Sequence, residues 1–165
     1  MIEPLRRLIE ALREELKSYG EMLALLDQQQ ELVVARAADE LFRSLPTVAA
    51  QTATIQAARA QREASRSVVA ARFQQPESAP FKDLIPLLPA EYRPLVEALV
   101  QENNQLLVRV QQRARQNHLL LSRSLELMQS FINSLLPVRD TQVYTDQGSR
   151  RSPAFAASTL YEAVG

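Results

Sequence analysis

From Leu5 onward the chain places Leu5, Ile9, Leu12, Leu16, Tyr19, Leu23, Leu26 and Val33 at alternating steps of four and three, interrupted only at Gln30. That spacing belongs to a helix that buries one long seam against other helices. Most of the stability of such a helix comes from packing its apolar face, so the rest of the chain has to supply partners. Composition agrees with a helical answer. Three Gly, no Trp and 5% aromatic residues, beside abundant Leu, Ala, Gln, Glu and Arg, favour helices and disfavour strands. For 165 residues the expectation is one all-α domain.

Two further helical blocks follow. After "ARAADEL", Asp39 is placed to cap a second helix whose inward positions are Leu41, Leu45, Val48, Ile55, Val69 and Phe73. Pro46 lacks an N–H and its ring meets the preceding turn, which predicts a kink or restart there. Pro76, Pro80, Pro86 and Pro89 mark an ordered connection, in which Phe81, Leu84, Ile85, Leu87 and Leu88 suit a short helical turn that caps the fold. From about Ala90 a third block carries Leu95, Leu99, Leu106, Val110, Leu121, Leu125, Met128, Ile132 and Leu135, and it stops at Pro137. The predicted architecture is an elongated antiparallel three-helix bundle or coiled coil over residues 1–137, with helices at about 4–36, 39–74 and 90–136. Residues 138–165 are expected to form a mobile tail. In it Ser152 and Pro153 could open a short helix over 153–163, with Ala154, Ala157, Leu160, Tyr161 and Val164 on one face.

Charge supports the pairing of the first two blocks. Residues 1–40 hold 5 Lys and Arg against 9 Asp and Glu, whereas residues 41–75 hold 5 Arg against Glu63 alone. Antiparallel neighbours of opposite sign favour this arrangement over self-association, although exposed pairs contribute only about 0.2 to 1 kcal/mol each. The chain as a whole is neutral, which gives no electrostatic reason to expect nucleic acid or an anionic membrane as partner. Residues 1–20 interleave charge with Leu and have no uninterrupted apolar core, so neither a signal peptide nor a membrane span is expected. Without Cys there is no disulfide framework or thiolate metal site, and the cytoplasm is the expected location.

Lengths point to a surface. At roughly 1.5 Å per residue the third helix outruns the other two by about two turns or more, and the unmatched part is its C-terminal end. That end, "NHLLLSRSLELMQSFINSLLP", is apolar and nearly uncharged. An exposed patch of this kind usually marks a docking site. The candidate partner-binding residues are Leu121, Leu125, Met128, Phe131, Ile132, Leu135 and Leu136, with Tyr144, Leu160 and Tyr161 from the tail. Folding back of the tail, or a second copy of the chain, are the alternative covers.

Catalytic chemistry finds no support. His118 is the single histidine, and the bulky Leu119, Leu120 and Leu121 beside it leave no room for phosphotransfer. Glu14, Glu15, Glu97 and Glu102 read as solvated helix positions without the Glu-x-x-His pattern of a di-metal bundle. Gly20, Gly148 and Gly165 make no phosphate cradle, and Ser149 to Arg151 form too short a basic run for nucleic acid. No cofactor is expected and the chain is not expected to be an enzyme. Asn103, Asn104 and Asn117 fall in or beside the third seam, where Asn either fixes helix register or faces solvent.

The order of "ARAADELFRSL", a Pro-broken connection, "NNQLL", "QNHLLLSRSLELMQSFINSLLP" and "VYTDQGS" resembles the FlgN family of flagellar type III export chaperones over nearly the whole chain. Its most specific parts are Asn117 to Leu121, the step Ser124, Leu125, Glu126, and the spacing from Tyr144 to Gly148. The resemblance implies a cytosolic, non-enzymatic chaperone. Such a chaperone binds the C-terminal helical segments of hook-filament junction proteins through the end of the third helix and the tail, prevents premature assembly and delivers them for export. Components of the export gate or the export ATPase are further candidate partners. After Gly148, "SRRSPAFAASTLYEAVG" departs from the family pattern. A structural coiled-coil adaptor or regulator that self-associates through the same apolar end is the alternative from another class.

Overall fold

The computed structural model describes residues 2–135, and all regular elements within them are helical. Helix α1 spans Ile2–Val34 and α2 spans Ala38–Arg72; α3 (Phe81–Leu84) runs into a 3-10 turn at Ile85–Leu87, and α4 spans Arg93–Leu135. The all-α class is therefore that of the structure. Helix α1 packs along both α2 and α4, while α2 and α4 approach each other little, so α1 is the middle element. Contacts from Gln51 to Ser18 and from Arg62 to Glu15 run in opposite directions along the two helices, making α1 and α2 antiparallel. Asn103 meets Leu12 and Asn117 meets Leu26 at one fixed offset of 91, so α4 runs parallel to α1.

A middle helix needs two seams. In α1 the buried Leu5, Leu8, Leu12, Glu15, Tyr19, Met22, Leu26 and Gln29 follow heptad steps. They share Leu5, Leu12, Tyr19 and Leu26 with the predicted seam and add a second flank. In α2, Ile55, Arg62 and Val69 are buried and Leu41 and Val48 half-buried, a step of seven that keeps one face on α1. One apolar cluster gathers Leu5, Leu8, Leu12, Val69, Phe81 and Val96, and a second gathers Tyr19, Met22, Leu26, Ile55, Leu107 and Val110. Between them lies a polar layer.

Its members correct one expectation: Glu15 is not solvated but fully buried, because Arg62, itself 2% exposed, donates to its Oε2 at 2.9 Å. Tyr19 donates to the other carboxylate oxygen at 3.0 Å. Burial, reinforced by the Glu15 charge, pushes the Tyr19 phenol well above its ordinary range. Arg62 also meets Glu63 at 2.7 Å. In the same layer the Asn103 side-chain amide donates to the carbonyls of Leu12 and Leu99, both at 2.9 Å. Two heptads on, Asn117 donates to the Leu26 carbonyl at 2.8 Å and the Gln29 side chain at 3.1 Å. Both Asn are buried and tie α4 to α1, whereas Asn104 is half-buried.

Other details also differ from the sequence reading. Helix α2 runs unbroken through Pro46, which lies on an exposed stretch where water can satisfy the carbonyl that the missing N–H leaves free. Asp39 is not the cap: Ala37 holds that position without a side-chain bond, and Asp39 and Glu40 instead sit in the first turn, where the helix dipole favours acids. Leu45 is exposed rather than inward, and Val96 rather than Leu95 faces the core. The α1–α2 turn closes by backbone bonds from Ala37 to Leu32 and from Arg36 to Val33, with Arg36 at φ 55. Helix α2 ends the same way, with bonds from Gln75 to Ala70 and from Gln74 to Ala71 and Gln74 at φ 55. Both are Schellman ends without glycine.

Candidate functional site

Helix α4 keeps one phase from end to end. At 100° per residue, Val96, Leu99, Asn103, Leu107, Val110 and Asn117 fall on the face that meets α1. The same face continues through Leu121, Leu125, Met128, Ile132 and Leu135. The offset of 91 carries Val34, the last residue of α1, to Leu125. Beyond that point the seam goes on for about three turns while the helix that fills it has ended. Leu121 is half-buried at the boundary. Leu125, Leu135 and Phe131 are 65%, 64% and 62% exposed, Met128 59% and Ile132 42%. Leu120, Leu127 and Phe131 fall on an adjoining line and widen the stripe on one flank.

The structure thus brings Leu121, Leu125, Met128, Phe131, Ile132 and Leu135 together on one helix end that no other helix among the described residues covers. Leu136, Tyr144, Leu160, Tyr161 and the predicted helix over 153–163 lie outside the described residues. Sequence reasoning missed a neighbouring group. Val34 and Phe42 are 71% and 70% exposed and Leu45 is also exposed, all at the α1–α2 turn, which is the end of the molecule where α1 leaves the seam. The signal was present as a Phe and a Leu in the first two turns of α2, but apolar residues at helical spacing look like core until their cover is known.

Electrostatics contribute little on the stripe, since Arg123 and Glu126 are the only charged residues between Ser122 and Leu135. His118 is exposed. Among the described residues no group of three or more His, Cys, Asp or Glu is placed to hold a metal ion, and no helix is long and apolar enough to cross a membrane. What this surface can do is bury an apolar partner.

No curated protein and no solved structure shows a match to the chain. A family model described as FlgN protein matches residues 1–152, which includes all of α1 to α4. The chain belongs to the FlgN family, the flagellar export chaperones.

Proposed function

We propose that this elongated three-helix bundle is a cytoplasmic chaperone that binds the C-terminal helical segments of the hook-filament junction proteins through the free end of α4. It keeps those segments from assembling early and delivers them to the flagellar export apparatus. The observation that carries this reading is the uncovered seam from Leu125 to Leu135, in phase with the buried α1–α4 interface and beyond the reach of α1. A client helix laid there meets the same row of apolar side chains that α1 meets lower down. Tyr144, Leu160 and Tyr161, which lie outside the described residues, supply the second side of the contact in this reading.

Calorimetric titration with the C-terminal segment of a junction protein tests this. Phe131→Asp or Ile132→Asp is expected to abolish binding with helicity and melting unchanged, because the new charge is desolvated only when the client arrives. Retained binding together with a melting point several degrees lower assigns the stripe to the core instead. Light scattering that shows an obligate dimer, split by the same substitutions, favours the self-associating adaptor.

A further inference from the structure

We infer that the α1–α2 tip, residues 27–46, is a hinged flap that shields part of the client seam, and that a client helix swings it off α4 and takes its place. This rests on the client-docking reading of the α4 stripe and adds a gate to that same site.

The apolar core stops well short of the tip. Leu26 is the last buried apolar residue of α1, and Ile55 is the first of α2. Between Asp27 and Pro46 the single buried residue is Gln29, while Leu32, Val33 and Leu41 are half-buried. Counted from the turn of this antiparallel pair, Leu26 and Pro46 lie level, each eight residues inside its helix from the flanking Val34 and Ala38. Pro46 has no N–H to donate to the Phe42 carbonyl, so α2 lacks a rung of its ladder at the level where the apolar core of α1 ends. A helix pair with few buried apolar contacts and an interrupted ladder opens at a free energy well below that of the whole molecule.

The hold of the tip on α4 is polar. Arg113 pairs with Asp27 at 2.7 Å and donates to Gln30, and the Asn117 side chain donates to Gln29 at 3.1 Å. The offset of 91 between α1 and α4 sets Gln30, the one break in the heptad spacing of α1, level with Leu121. Leu121 is accordingly only half-buried, and Leu120 is 38% exposed. An apolar client residue covers both more fully than Gln30 does. With the flap in place the open seam runs from Leu125 to Leu135, about 15 Å; with the flap displaced it begins near His118 and reaches about 26 Å, which a client helix of roughly five turns fills. That gain opposes the exposure of Leu32, Val33 and Leu41, and the fraction of molecules with the flap open scales the apparent client affinity.

The test uses the full chain and the C-terminal segment of a junction protein as a soluble peptide. Amide exchange at residues 30–34 and 38–45 is expected to quicken at least about fivefold when saturating peptide is added, while exchange over residues 5–26 holds steady. The pair Gln30→Leu and Pro46→Ala completes the apolar seam of α1 and restores the missing rung of α2 without touching the stripe, so it holds the flap shut. In titration calorimetry this variant is expected to bind peptide at least about fivefold more weakly than the parent, with a higher melting temperature. Tip exchange that slows or stays unchanged on peptide addition overturns the flap, as does a variant affinity within about twofold of the parent; loss of binding in Ile132→Asp then leaves the α4 site standing. Failure of the parent chain to bind peptide at all removes the client-docking reading and the flap with it.

Discussion

Glu15 occupies a position that the heptad pattern of α1 reserves for packing, and a carboxylate survives there because Arg62 and Tyr19 both bond to it. Buried ion pairs seldom add net stability, yet removing one partner leaves an uncompensated charge. Glu15→Ala is therefore expected to lower unfolding stability by about 3 kcal/mol in urea titration, with Glu63 limiting the loss at Arg62. The double replacement Glu15→Leu with Arg62→Met should lie closer to the parent than Glu15→Ala does. Tyr19 adds a pH dependence. Its folded phenol holds its proton above the ordinary value, so the stabilisation is complete below about pH 10 and declines as pH rises further, since only the unfolded state ionises there. In Tyr19→Phe that alkaline decline should flatten. None of this was legible as a pair. The opposite charges of the two segments were plain in the sequence, but which Glu meets which Arg depends on the register of α1 on α2, and a polar residue at a seam position looks solvated until two partners enclose it.

At the scale of the elements, the all-α fold was legible because apolar spacing repeats over runs too long for chance. The second seam of α1 was not, because Glu15, Ser18 and Gln29 interrupt it with polar side chains whose partners lie on other helices. Asn103 and Asn117 could be identified as register candidates, and the structure decides between the two readings by burying both against α1 carbonyls. At Pro46 the helix does not restart, because the cost of a proline depends on whether the carbonyl it frees reaches water, and this stretch of α2 is exposed. Helix α1 still contains a defect that sequence and structure jointly expose. Gly20 lies in its interior, and a Cβ there would meet nothing within 4 Å. Gly20→Ala is expected to raise stability by about 1 kcal/mol, or roughly 2 to 4 °C in melting temperature, with client binding unchanged. The turn offers a parallel gain. Arg36 adopts a left-handed conformation that glycine takes without penalty, so Arg36→Gly should also raise the melting temperature, by an amount set by how much freedom glycine adds to the unfolded chain.

The whole molecule has a built end and a bare end. At the built end the 79–88 segment seals α1, α2 and α4 together; at the bare end α1 stops, α4 continues, and Val34, Phe42, Leu45 and the stripe to Leu135 face solvent. The overhang was legible because helix lengths can be compared in the sequence. The exposed start of α2 was not, since an apolar residue carries no mark of whether a partner covers it. The near absence of charge on the stripe has a consequence for affinity. Attraction there is apolar rather than Coulombic, so raising salt from about 0.05 to 0.5 M should change client affinity less than about threefold, whereas a charge-guided site would weaken far more. The central claim is that clients occupy the seam where α1 has ended, and photocrosslinking along α4 measures this directly. A photoreactive side chain placed in turn at Val108, Leu125, Met128 and Ile132 should capture a junction-protein segment from the last three positions and not from Val108, which is exposed on α4 below the end of α1. Capture at Val108 with none at Leu125, Met128 or Ile132 would contradict the account.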